Sequence, residues 1–299
     1  MSKDTKIKIS EIFTSIQGEG LYAGTPSVFI RVFGCNFECR GYGLPSGQKS
    51  TEPEEILKGI NDSYGFEEYK DLPLVKTGCD SYASWHKDFK QFSPFMTVAE
   101  ICEKIKTLLN GRKFGRNMHL IITGGEPLLG WQKVYEELIT SLYDWDLVDR
   151  YDKLSLTFET NGTQKLTNEL CSFLSVPDYV VETTFAISSK LSSSGELLKK
   201  RFNPEAVRSY LFTRHSNNSF FKWVISNPED WFEAEAFYEL YSDEGIILPV
   251  YLMPAGAQEE MYNENLSWLS KMIVSDKNYM NFRLSPRLQV SLFKNAWGT

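Results

Sequence analysis

The sequence predicts an α/β fold with a parallel sheet. Three observations carry this: strand-like apolar runs alternate with helix-like stretches, those strands are near-continuously apolar, and the unusual motifs follow their carboxyl ends. Runs at Ser27 to Phe33, Met118 to Thr123, Leu154 to Glu159, Val180 to Ile187, Phe221 to Ile225 and Ile246 to Leu252 read as strands. Val98, Ile101, Cys102, Ile105, Leu108 and Leu109 share one helical face, and Thr97 with Glu100 predicts a capping box opening a helix that ends at Asn110. Trp131, Val134, Tyr135, Leu138, Ile139 and Leu142 repeat that pattern, and weaker versions run through Thr163 to Leu174, Glu229 to Tyr241 and Tyr262 to Ile273. Such a succession gives a barrel or an open wound sheet, with functional residues at the carboxyl ends of the strands. Arg40 to Thr77 breaks the alternation. It is rich in Gly, Pro, Ser, Glu and Lys, has weak periodicity only around Glu54 to Ile60, and reads as a loop inserted at about 40–78. Without an internal repeat or a linker, residues 1–299 are expected to form one domain. Trp85-His86 and the Ser- and Lys-containing stretch Leu191 to Asn218 carry no motif and are expected at the surface, like the inserted loop.

A chain of 299 residues with 42% hydrophobic residues can bury a sizeable core, and its net charge of -7 argues against a nucleic-acid binder, which needs a concentrated basic surface. No apolar run reaches the roughly 18 residues of a membrane span, and the start Met1-Ser2-Lys3-Asp4-Thr5-Lys6 lacks the apolar core of a signal peptide. Five cysteines are too few for a disulfide scaffold, so a cytoplasmic chain with free thiols is expected.

Two motifs carry chemistry. Cys35 and Cys39 follow an apolar run in Phe33-Gly34-Cys35-Asn36-Phe37-Glu38-Cys39, and Cys79 arrives in Gly78-Cys79-Asp80-Ser81. Three thiolates point to a metal centre whose last position is left for a substrate or cofactor, whereas Cys102 and Cys171 sit on apolar helix faces and read as core. The second motif, Ile122-Thr123-Gly124-Gly125-Glu126-Pro127, lies between a strand and a helix. Its glycines let a backbone edge approach a ligand, Glu126 offers an acceptor suited to an amino group, and Pro127 stiffens the turn.

With these motifs the chain resembles the radical S-adenosylmethionine (SAM) enzymes, and within them the 7-carboxy-7-deazaguanine synthase family. Further motifs recur in order over nearly the whole chain: Ser15-Ile16-Gln17-Gly18-Glu19-Gly20, Phe29-Ile30-Arg31, Glu159-Thr160-Asn161-Gly162-Thr163, Ser188-Ser189-Lys190, Leu252-Met253-Pro254 and Arg283 to Leu288. The resemblance implies a partial TIM-like barrel of parallel strands. It also implies a 4Fe-4S cluster on three cysteines, whose fourth iron is chelated by the amino and carboxylate groups of SAM. The usual Cys-x3-Cys-x2-Cys spacing puts Tyr42 at the third position, and Cys79-Asp80-Ser81, followed by Tyr82 and Trp85, resembles the displaced third element. Cys79 is therefore assigned as third ligand beyond the inserted loop, a length that closure entropy tolerates because its cost grows only logarithmically.

The implied reaction converts 6-carboxy-5,6,7,8-tetrahydropterin to 7-carboxy-7-deazaguanine with loss of ammonia. It is started by a 5'-deoxyadenosyl radical that takes hydrogen from C6. By the same resemblance Ile16, Gln17, Gly18, Glu19, Arg31, Thr123 and Glu159 form the pterin pocket. Gln17 would meet the pyrimidine edge, Glu19 or Glu159 ring NH groups, and Arg31 a carboxylate. Gly124, Gly125, Glu126, Ser188 and Lys190 resemble SAM-contacting positions, Ser81 a ligand of Mg2+, and the terminal Thr299 a substrate contact carried by an apolar tail, Phe293 to Thr299, able to dock. A homodimer and an electron donor such as flavodoxin are implied as partners. Two other functions share part of this pattern, an activase of a glycyl-radical enzyme and a non-enzymatic three-cysteine metal-binding module. The activase leaves Gln17, Glu19, Arg31 and Glu159 unexplained, and the module does not need the turn from Thr123 to Pro127.

Overall fold

The computed structural model describes residues 5–62, 66–176, 181–213, 218–256, 259–277 and 282–299. The chain starts with β1 (Lys6–Ile16) and β2 (Pro26–Val32), which pair antiparallel. After α1 (Glu52–Asp62) in the insertion come β3 (Phe95–Thr97) and α2 (Val98–Leu109). Strand and helix then alternate: β4 (His119–Gly124), α3 (Gln132–Asp144), β5 (Leu154–Thr160), α4 (Asn168–Leu174) and β6 (Val181–Ile187). Two short helices, α5 (Leu198–Arg201) and α6 (Pro204–Leu211), precede β7 (Phe220–Ile225), α7 (Pro228–Asp243), β8 (Val250–Pro254), α8 (Glu259–Ser275), β9 (Phe282–Leu284) and α9 (Leu288–Phe293). One sheet runs β3-β1-β2-β4-β5-β6-β7-β8-β9, and from β2 to β9 every neighbouring pair is parallel. The α/β reading and the partial barrel hold, and the capping box of Thr97 and Glu100 is present.

The sheet separates two kinds of interior. Val28, Ile30, Leu120, Ile122, Leu156, Phe158, Phe185 and Ile187 face the helices in the main apolar core, where Cys102 is fully buried and Cys171 packs at the edge as expected. Period-two alternation turns Phe29, Arg31, Ile121, Thr123, Glu159 and Lys222 to the other face. Phe13 stacks on Phe29 there, with ring centroids 4.9 Å apart. The barrel remains open between β1 and β9, and polar stitches bridge the gap. Gly20 N–H donates to Ser285 Oγ (2.8 Å), and Leu288 N–H to Gly18 O (3.1 Å).

Several expectations are corrected. The strand expected from Ile246 begins at Val250, since the buried Ile246 lies in the preceding loop, and Val180 lies outside the described residues. Leu191 to Asn218 is only partly surface: Leu197, Leu198 and Phe212 are exposed, but Leu191, Arg201, Ala206, Val207 and Tyr210 are buried against the core, and residues 214–217 lie outside the described residues. His86 is buried and Trp85 half-buried. The insertion is more than a loop. Tyr69, Leu72 and Val75 form a second apolar cluster with Tyr82, Phe89 and Phe92, flanked by Ile56, Leu57 and Ile60 of α1 and by Trp297 of the tail.

The tail docks on the insertion through that tryptophan. Its Nε1 donates to Leu72 O (2.5 Å), and its ring meets Tyr69 edge-on at 4.9 Å. Trp297→Ala is expected to free the last residues. Loss of about 1.4 kcal/mol of docking corresponds to roughly tenfold faster trimming by carboxypeptidase, followed by mass spectrometry; unchanged trimming would show that the tail is held elsewhere.

Among the described residues no helix is long and apolar enough to cross a membrane.

Candidate active site

The carboxyl end of β2 runs into the cysteine loop, and the carboxyl end of β4 packs directly beneath it. A Cβ on Gly124 (φ +137°) would lie 2.2 Å from Val32 O, and one on Gly125 would lie 2.3 Å from Gly34 O and 2.9 Å from Cys35 Cβ. The two motifs singled out in the sequence are thus in contact. Their glycines are required first by each other's backbone, since any side chain would push the cysteine loop off the strand. Glu126 N–H completes the joint by donating to Gly34 O (2.7 Å).

Cys35, Cys39 and Cys79 all line one cavity of about 610 Å3, within the usual range for small-molecule sites. None is in a disulfide. Cys35 Sγ accepts from Phe37 N–H (3.4 Å) and Asn161 Nδ2 (3.9 Å). Cys39 adopts a left-handed backbone (φ +49°), held by Glu196 Oε1, which accepts from the N–H groups of Glu38 (2.8 Å) and Cys39 (3.1 Å). Cys79 is brought back by stitches across the insertion. Gly78 N–H donates to Tyr42 O (2.8 Å), Ser50 N–H to Arg40 O (2.8 Å), and the Glu52 carboxylate accepts from Lys76 N–H (2.7 Å) and Thr77 N–H (2.9 Å).

These thiols suit an iron group. Burial pushes Cys35 up to about 12 and Cys79 up to about 11, and raises Cys39 well above the ordinary thiol range. Each of Cys35 and Cys39 is raised further by neighbouring cysteines, and Lys190 draws all three thiols down. Buried thiolates that repel one another need a cationic centre between them, which iron supplies. Among the described residues no group of three or more His, Cys, Asp or Glu could hold a single metal ion.

Deeper in the barrel a polar network covers the floor. Glu159 accepts from Gln17 Nε2 (3.1 Å), Thr123 Oγ1 (2.8 Å) and Lys222 Nζ (3.3 Å). Glu19 accepts from Lys222 Nζ (2.7 Å), Arg287 Nε (3.2 Å) and Gln289 Nε2 (2.6 Å). Burial would push the Glu19 carboxyl up, but Lys222 and Arg287 more than reverse this and hold it at about 2. Arg31 pairs with Glu11 (2.9 Å) and donates to Ser81 Oγ (3.2 Å).

Ile16, Gln17, Gly18, Glu19, Arg31, Ser81, Thr123, Gly124, Gly125, Glu159, Ser188, Lys190 and Thr299 all line this cavity with the three cysteines. Glu126 is placed differently. It is fully buried behind the turn, where its carboxylate accepts from Leu128 N–H (3.0 Å), Thr160 Oγ1 (2.8 Å) and Asn161 N–H (2.6 Å), and burial pushes it up to about 7. What reaches the cavity from this motif is Thr123 and the backbone of Gly124 and Gly125.

No family model matches the chain. Among curated proteins it is 46% identical over 241 residues to a 7-carboxy-7-deazaguanine synthase of Methanospirillum hungatei, covering 79% of this chain and 73% of the relative. The chain belongs to the 7-carboxy-7-deazaguanine synthase family. A synthase of Pyrobaculum aerophilum is 29% identical over 301 residues, the full length of both chains. The crystal structure of QueE from Escherichia coli covers 94% of this chain and 93% of its own with a TM-score of 0.50, a likeness of fold at 18% identity.

Against this family background, the residues that motif reading missed are Lys222, Gln289 and Glu196, while Asn161 sat in the Glu159 to Thr163 motif without a role assigned to it. Lys222 had a signal: a lysine inside Phe220-Phe221-Lys222-Trp223 must either break a strand or face a polar interior. Glu196 and Gln289 had none, since their partners lie more than a hundred residues away.

Proposed function

We propose that this chain is a radical SAM lyase that converts 6-carboxy-5,6,7,8-tetrahydropterin to 7-carboxy-7-deazaguanine with loss of ammonia, acting as one domain over residues 1–299. The observation that carries the reading is a single cavity that joins three free cysteines, Cys39 buried and Cys35 and Cys79 half-buried, to the Gln17, Glu19, Arg31, Thr123 and Glu159 set. Cys35, Cys39 and Cys79 would hold the 4Fe-4S cluster. When bound, the cluster supplies the electron that cleaves SAM and so starts hydrogen abstraction from the substrate.

The chain's own residues position and shield. The peptide edge of Gly124-Gly125, with Ser188 and Lys190, would bind SAM; Lys190 Nζ already donates to Ser188 Oγ (3.1 Å), which fixes both side chains at the carboxyl end of β6. Arg31 would pair with the substrate carboxylate through its fork of donors. Ser81, beside that guanidinium, would offer a hard oxygen to Mg2+. Glu159 would accept from the pterin ring NH groups and Gln17 would serve its pyrimidine edge. Ile16, Gly18 and the tail at Thr299 line the same cavity and would help exclude water once substrate is bound. A flavodoxin-type donor, a homodimer and a cytoplasmic setting belong to the same proposal. Neither a glycyl-radical activase nor a metal-binding module accounts for the polar floor.

The test is anaerobic turnover of reconstituted protein with dithionite, SAM, Mg2+ and the carboxylated pterin, read by mass spectrometry. The expected product is 7-carboxy-7-deazaguanine. Deoxyadenosine release without that product would overturn the substrate assignment.

A further inference from the structure

Residues 191–201 form a strap that meets the cysteine loop backbone to backbone. Gly41 N–H donates to Ser194 O (3.0 Å), and a Cβ on Gly41 would lie 2.6 Å from Ser193 O and 2.8 Å from Gly195 N. Gly195 makes a left-handed turn at this crossing (φ +81°), and the Glu196 side chain that follows reaches along the loop. One of its carboxylate oxygens accepts from the N–H groups of both Glu38 (2.8 Å) and Cys39 (3.1 Å). The ends of the strap are fixed as well. The buried Arg201 donates to Lys190 O (3.0 Å) and pairs with Glu233 (2.6 Å), whose carboxylate also accepts from Ser192 N–H (2.8 Å).

Of the three cavity cysteines, Cys39 alone has a positive φ, +49°. A Cβ crowds the backbone oxygen in that region, so a cysteine stays there only where its surroundings impose it. Two successive N–H groups converging on one anionic oxygen form the kind of nest in which backbones hold anions, and here the chain supplies the anion itself. Such charge-assisted bonds are the strong ones. Nothing else that the loop touches accepts from these two N–H groups by geometry.

We propose that Glu196 is a positioning residue for the iron centre: it imposes the left-handed turn that keeps the Cys39 thiol at the cavity wall before any cluster is present. The inference rests on the radical SAM reading above for what that thiol ligates. It gives a role to a stretch of sequence that carries no motif, since the strap bearing Glu196 is anchored at Lys190 and closes on the cysteine loop.

The test compares metal-free, full-length wild type with Glu196→Ala, Glu196→Gln and Glu196→Asp. Hydrogen exchange resolved to single amides by NMR should show the Glu38 and Cys39 N–H groups protected in wild type, although Glu38 is an exposed residue, and about tenfold faster in Glu196→Ala. Glutamine keeps an acceptor oxygen at the same reach and should restore the protection. Aspartate, one methylene shorter, should not. On addition of iron and sulfide, Glu196→Ala and Glu196→Asp should assemble the cluster about tenfold more slowly than wild type, while Glu196→Gln should match it. Should the alanine chain fail to fold, aspartate against glutamine carries the same comparison. Wild-type amides that exchange as freely as an open loop would overturn the proposal without any variant, and so would equal assembly rates in all four proteins. Glutamine that behaves like alanine would overturn it too. Wild type that takes up no iron and sulfide while both amides stay protected would instead overturn the cluster reading, and with it the assignment of the clamp to an iron centre.

Discussion

Cys79→Ser is expected to abolish the iron centre. The residue lies far along the chain from Cys39, yet the stitches from Tyr42 to Gly78, Arg40 to Ser50 and Glu52 to Thr77 return it to the same cavity wall. Closing the loop is affordable in entropy, because doubling a loop's length costs only about 0.6 kcal/mol, and the second apolar cluster then holds it closed. Serine keeps the shape but replaces a soft thiolate with a hard hydroxyl that iron–sulfur clusters rarely accept. Iron and sulfide in the reconstituted protein should fall to background, and turnover should drop by more than about a hundredfold, beyond the loss from an outer-shell change. Cys171→Ser, at the edge of the main core, should retain both. A full iron complement in Cys79→Ser would mean that another group completes the site, and Tyr42, which lines the same wall, would be the first to test.

What the sequence discloses depends on how local the cause is. The parallel strands, the capping box at Thr97 and the two glycines before Glu126 are written in adjacent residues, so periodicity and spacing find them. β1 escapes because a bulge between Ile9 and Glu11 shifts its phase, so that Ile7, Ile9 and Ile12 share a face without regular alternation. The core of the insertion escapes because Ile56, Leu57, Tyr69, Leu72 and Val75 follow no single period and become a cluster only against Tyr82 and Phe89. The site divides in the same way. Cysteines, Gly-Gly and Arg31 sit in recognisable strings, whereas the pairing of Glu19 with Lys222, Arg287 and Gln289 is made by the barrel's gap closing, which no local pattern records.

That closure makes Lys222→Met the second large effect. Lys222 is only 5% exposed and neutralises both Glu19 and Glu159. Methionine fills most of its volume but leaves two half-buried carboxylates with Arg287, at Glu19, as the cation that remains paired with them. Breaking a buried pair by removing one partner costs about 3–5 kcal/mol. With Arg287 retained the lower end is expected, roughly 10 °C in melting temperature for a chain of this size. The pH dependence has a definite sign. In wild type, burial alone would lower the lysine's affinity for its proton, but Glu159 and Glu19 raise it above the ordinary value, so its contribution is complete below that value and lost only as pH rises through the raised one. Glu19 is depressed to about 2, so its contribution is present above its ordinary value of 4.5 and is lost as pH falls from there toward 2. In the variant Glu19 loses one of the two cations that hold its carboxyl down against burial, so it takes up a proton earlier in an acid titration. The stability deficit should therefore be widest near neutral pH and narrow toward about pH 5, as acid relieves the buried charge. Thermal unfolding of both proteins at matched pH values measures this directly. A deficit that stays constant between pH 7 and 5 would mean that Lys222 contributes packing rather than charge, and its place on the cavity floor would then bear on substrate fit alone.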